Sequence, residues 1–111
     1  MRIAVASENG QVAQHFGKCP EYVLFDIQGG KIERKSELAN PGHEPGVLPG
    51  FLASHGVNCI IAGGMGPRAI GLFRQNHIEV VTGADGDVNE VMVKYLDGTL
   101  DLGDSACEHH E

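Results

Sequence analysis

Apolar and polar residues follow two rhythms along this chain. Residues 2–6 are a mostly apolar run with β-branched Ile3 and Val5, which predicts a buried first strand. Residues 7–20 are a polar, glycine-containing loop, and residues 21–28, Glu-Tyr-Val-Leu-Phe-Asp-Ile-Gln, have strong strand character. Gly29-Gly30 is a two-residue hairpin connection, after which 31–37 sets Ile32 among charged neighbours, as an edge strand would. After a second loop, 40–46, the spacing of Leu48, Phe51 and Leu52 predicts a helix over 47–55, with Pro49 tolerated in its first turn and Gly56 ending it. Residues 57–62 read as a fourth strand, 67–76 as a second helix and 78–82 as a fifth strand. Asp87 is placed to cap a third helix over 88–96, with Val88, Val91, Met92 and Tyr95 on its apolar face.

Short strand–helix crossovers imply parallel strands, and the hairpin implies one antiparallel member. The expected fold is α/β: a mixed five-stranded sheet in the order 3-2-1-4-5, strand 2 antiparallel, with helices on its faces. In such a sheet the loops 7–20, 63–66 and 83–87 gather at one edge, and ligands bind at the switch point between strands one and four. That places His15 beside the stretch Gly63-Gly64-Met65-Gly66-Pro67-Arg68.

This stretch reads as strand, glycine loop and helix start. Pro67 suits a first helical residue, because its φ is already fixed and its missing N–H costs nothing there. Unpaired amides beside the positive end of a helix dipole, plus the charge of Arg68, suit an anion. The alternative is that Gly63 and Gly64 only make a tight turn.

The chain has 111 residues, 41% of them hydrophobic, and a net charge of −7. That is one domain, expected over 1–97, with a polar tail over 98–111. No basic stripe offsets the acidic balance, which argues against a nucleic-acid partner. No apolar run reaches the ~20 residues that span a bilayer, and no signal segment opens the sequence, so a cytoplasmic location is expected. Cys19, Cys59 and Cys107 are odd in number and widely spaced, which suits free thiols in a reducing compartment.

His15 offers a neutral imidazole, a good transition-metal ligand, or else a cap for a backbone carbonyl. Cys19 is a soft thiolate ligand or a small apolar filler before Pro20. Met65 is a thioether contact or an apolar lid. Cys59 lies within a strand and reads as core. His43 is ambiguous, while His55 and His77 close helices and read as structural. The tail carries Cys107, His109 and His110 within four residues: metal ligands on an arm, or a solvated end. No G-x-S-x-G, H-E-x-x-H or Walker A pattern is present, and Asp85 and Asp87 serve as readily in turns and caps as in acid–base chemistry.

Together, His15-Phe16-Gly17, the run Ile61 to Ala69, Pro45-Gly46-Val47-Leu48-Pro49 and the Cys/His tail resemble the nitrogenase iron–molybdenum cofactor biosynthesis family. That group includes NifX- and NafY-like proteins, the C-terminal region of NifB and the small orange protein that holds a molybdenum–copper sulfide cluster. The resemblance covers essentially the whole chain. It implies a ribonuclease H-like fold without nuclease activity. It also implies binding or carriage of a metal–sulfur cluster or precursor, iron–sulfur or molybdenum-containing, passed between donor and acceptor proteins. The histidine of the H-F-G motif maps onto His15, with Phe16 and Gly17 beside it, and the glycine loop onto Gly63–Gly66 as a cradle. The resulting reading is a carrier, not an enzyme.

Two other functions fit the residues. Gly64-Met65-Gly66-Pro67-Arg68-Ala69 matches G-x-G-x-x-A with Asp85 following, as in nucleotide binders, though on the fourth strand and with no substrate domain. A regulatory module that binds a partner protein without metal is the third.

Overall fold

A computed structural model describes residues 1–42 and 46–100. Strand β1 (Arg2–Glu8) lies at the middle of the sheet because its five central residues are buried from both sides. Its period-2 alternation divides the core: Ile3 and Val5 face one way, Ala4 and Ala6 the other. After the Asn9-Gly10 turn, β2 (Gln11–Val12) folds back on the end of β1. β3 (Glu21–Gln28) pairs antiparallel with β1, and β4 (Lys31–Ala39) pairs antiparallel with β3 to form an exposed edge. On the other side β5 (Cys59–Ile61) runs parallel to β1, with Ala4 opposite Ile60, and β6 (Glu79–Val81) runs parallel to β5. The order across the sheet is β4-β3-β1-β5-β6, with β2 attached to β1.

Helices α1 (Leu48–Ser54) and α2 (Pro67–Gln75) cover the face that carries Ala4, Ala6, Tyr22, Leu24 and Ile60; Leu52 and Phe73 are their fully buried anchors. Small alanines in the central strand leave room for these larger side chains. α3 (Val88–Asp97) covers the opposite face with Val88, Val91 and Met92 against Ile3, Val5 and Ile61. Its N-cap Asp87 accepts hydrogen bonds from the amides of Asn89 and Glu90 at 2.9 and 3.1 Å.

The loop expected over 7–20 therefore contains a strand. Asn9 and Gly10 both have positive φ, 55° and 81°, as a tight hairpin turn requires. The strand it sets up draws the 83–87 segment toward itself: the Val12 amide donates to the Gly86 carbonyl at 2.8 Å, and the Val88 amide to the Gly10 carbonyl at 3.0 Å. That segment is thereby committed to β2 and the start of α3.

No described helix is long and apolar enough to cross a membrane.

Candidate functional site

Beyond β2 the chain crosses the carboxyl end of β5. The Ala13 amide still donates to Ala6, continuing the ladder. Residues Phe16–Lys18 then make one tight 3-10 turn with His15 at its N-cap. Directly opposite lies the glycine loop. The Gly63 amide donates to the Ala13 carbonyl at 2.9 Å, and the Phe16 amide to the Gly64 carbonyl at 3.2 Å. Two backbones this close leave no room for side chains. A Cβ on Gly63 would sit 3.0 Å from the Ala13 oxygen and the Gln14 Cα, and one on Gly64 would sit 2.8 Å from the Gln14 oxygen.

Between these segments opens a pocket of about 1200 Å³. One wall is Gln14–Pro20; a second runs from Gly64 through Met65, Gly66, Arg68 and Ala69 to Leu72; Asn40, Gly42 and Gly46 contribute the third. Asn40 joins the third wall to the first. Its Nδ2 donates to the Cys19 carbonyl at 2.7 Å, and its Oδ1 accepts from the Gly42 amide at 3.1 Å. Phe16 supports the first wall from beneath: it is 4% exposed and packs edge-to-face on Phe73, ring centroids 5.0 Å apart.

The electrostatics are one-sided. Lys18 and Arg68 both line the pocket, and no carboxylate is among its described lining residues. α2 begins at Pro67 with Gly66 as N-cap and no side-chain cap, so the positive end of its dipole faces the pocket with first-turn amides uncommitted among the described residues. His15 is exposed, and no hydrogen bond ties its ring among the described residues.

His15, Phe16, Gly17, Cys19, Gly64, Met65, Gly66 and Arg68 are thus brought to one pocket. Three expectations need correction. Gly63 does not line it, since its backbone is consumed in the seam with Ala13. The 83–87 loop is not among the described lining residues: it bonds to β2 and, through Asp85, accepts from Gln14 Nε2 at 3.3 Å, while Asn40, Gly42 and Gly46 line the third side. Cys19 is 2% exposed, its thiol donates to the Phe16 carbonyl at 3.2 Å, and burial pushes it above the ordinary thiol range. In the metal-free protein it stands as a neutral buried donor at the pocket wall. Cys59 is core, as its place in a strand indicates: burial raises it to about 12, and Tyr95 lies 3.8 Å away. His43, Cys107, His109 and His110 lie outside the described residues.

Lys18 and Asn40 went unread in the sequence. Asn40-Pro41-Gly42 carried a signal, because an asparagine before such a turn bonds its own backbone two residues on.

Fold and pocket define a class before any comparison: a small mixed-sheet α/β protein with its pocket at the carboxyl edge of the parallel strands, where this architecture places ligands. The chain belongs to the dinitrogenase iron–molybdenum cofactor family, whose model matches residues 1–98. It is 31% identical over 106 residues to the uncharacterized protein MJ0580 of Methanocaldococcus jannaschii, covering 91% of this chain and 90% of that one. The crystal structure of PH0822 superposes with a TM-score of 0.89 at 33% identity, over 96% of this chain and 98% of that one. The apo orange protein of Desulfovibrio gigas shares the fold, with a TM-score of 0.77 at 22% identity over 93% and 92% of the two chains. Membership implies a role in iron–molybdenum cofactor biosynthesis or binding.

Proposed function

We propose that the protein binds, stores or carries a metal–sulfur cluster or its precursor, of iron–molybdenum–sulfur or molybdenum–sulfur type, in the pocket between the His15 turn and the start of α2. The observation that carries this reading is the lining: one free imidazole, two cations and a helix N-terminus, with no described carboxylate. A bare metal ion needs several side-chain ligands at once. Among the described residues no three His, Cys, Asp or Glu side chains stand together to hold one. An anionic cluster brings its own sulfides, so one imidazole together with charge and amide donors is a chemically adequate set.

In this account His15 is the ligand, and Gly64, Met65 and Gly66 are the surface the cluster rests on. Arg68 and Lys18 balance its charge, while Phe16 and Gly17 hold the turn. Residues 1–97 form the binding domain, and Cys107, His109 and His110 of the tail supply further ligands. The protein acts as a cytoplasmic carrier between donor and acceptor proteins and not as a catalyst. We assign the fold to the ribonuclease H-like class, supported by a meander of antiparallel strands followed by two parallel strand–helix units.

The test is anaerobic loading with molybdenum–sulfide and iron–sulfide species separately, measuring metal and sulfide kept after desalting. Stoichiometric retention with a visible absorption band is expected, falling at least about tenfold in His15→Ala, since a metal-ligand bond outweighs an ordinary hydrogen bond. Equal loading by the variant removes His15 from the site; no loading of either species overturns the carrier reading.

A further inference from the structure

Among the described residues no hydrogen bond ties the imidazole of His15, yet the backbone that presents it is held by several. The His15 carbonyl accepts from the Lys18 amide at 3.2 Å, and the Phe16 amide donates to Gly64 at 3.2 Å. The next carbonyl, that of Phe16, takes two buried donors at once: the Tyr22 hydroxyl at 3.1 Å and the Cys19 thiol at 3.2 Å. Tyr22 is fully buried on β3, which is paired on both sides, with β1 and with β4, and its ring lies 6.3 Å from that of Phe16. A hydroxyl in that position is costly unless it has a partner, and the partner it has is the turn carrying His15.

We propose that Tyr22 is a positioning residue for His15: its hydroxyl anchors the Phe16 carbonyl to β3, a strand paired on both sides, and so fixes where the imidazole meets the pocket. The inference rests on the carrier reading for its cargo but not for its geometry. Cys19 is the weaker second donor to the same oxygen, at 3.2 Å and almost fully buried. Burial keeps the Tyr22 hydroxyl protonated well beyond the ordinary phenol range, so the donor persists at every working pH.

Tyr22→Phe deletes the hydroxyl and keeps the ring. Amide hydrogen exchange, read by NMR on the unloaded protein, is expected to rise about tenfold or more at Phe16 and Lys18 while β3 and β5 amides stay protected. Unchanged exchange at Phe16 overturns the anchor whatever the protein carries. Tetrathiomolybdate affinity is then measured in wild type, Tyr22→Phe, His15→Ala and the double variant. A loss of roughly three- to tenfold is expected from Tyr22→Phe, the range set by one buried hydrogen bond, and no further loss when His15 is already absent. An equal loss in both backgrounds means Tyr22 acts on the fold at large and overturns the proposal. If wild type takes up no tetrathiomolybdate, the carrier reading fails for this cargo, and the exchange result still decides the anchor.

Discussion

Gly64 and Gly66 are two residues apart and differ in what a methyl group would meet. At Gly64 it would lie 2.8 Å from the Gln14 carbonyl oxygen, which cannot move without disturbing the seam; at Gly66 it would meet nothing within 4 Å. Gly64→Ala is therefore expected to destabilise by about 1–3 kcal/mol through overpacking. Gly66→Ala costs at most ~1 kcal/mol, because it only exchanges a moderate N-cap for a poorer one. Urea midpoints of the two variants check this; equal midpoints would remove the close approach as the reason for Gly64. At this scale the sequence was legible where chemistry and address coincide. His15, Met65 and Arg68 could be placed together because each sits at the end of an element whose direction was readable. Cys19 was less legible, since a thiol four residues from a histidine reads equally as a ligand or as a small filler before Pro20, and its near-complete burial in the unloaded protein is not visible locally. Burial is a property of the whole fold, and local spacing does not contain it.

The elements read differently according to how strongly each is signalled. α3 was legible to within a residue because two signals agree on it, Asp87 as cap and an apolar stripe through Val88, Val91 and Met92; the structure adds Gly98 in the left-handed conformation at its end. Asp87→Ala is expected to cost about 1 kcal/mol of stability. The loss should show as a lower thermal midpoint and faster amide exchange in the first turn of α3, with the pocket side untouched. If exchange rises throughout the sheet, Asp87 has a role larger than capping. β2 escaped notice because two residues are too short for alternation to register. Its mark was the Asn9-Gly10 pair, a strong hairpin signal that was read only as loop. That omission also explains the misplaced third wall, because without β2 nothing in the chain says that 83–87 is already engaged.

For the molecule as a whole, the net charge of −7 and the cation-lined pocket pull against each other. The general field repels an anionic cargo, and Lys18 and Arg68 must overcome it locally, at a mouth partly exposed to solvent. Such interactions are screened as the Debye length falls from ~10 Å at 0.1 M salt to ~3 Å at 1 M. Binding of a sulfide anion is therefore expected to weaken with added salt in wild type and to lose much of that dependence in Arg68→Gln. A salt response that is the same in both proteins would assign the attraction to the helix end alone.

The seam between the His15 turn and the glycine loop has one more consequence. Two backbone hydrogen bonds, Gly63 to Ala13 and Phe16 to Gly64, close it, and a third, from Gly83 to Gly63 at 2.9 Å, ties the glycine loop onward to the end of β6. The pocket accordingly has a fixed jaw. Its two principal walls are joined by backbone rather than by side chains, so on the carrier reading the residence time of a cargo would be written in the chemistry of the rim, and a receiving protein would have to offer better ligands at the mouth.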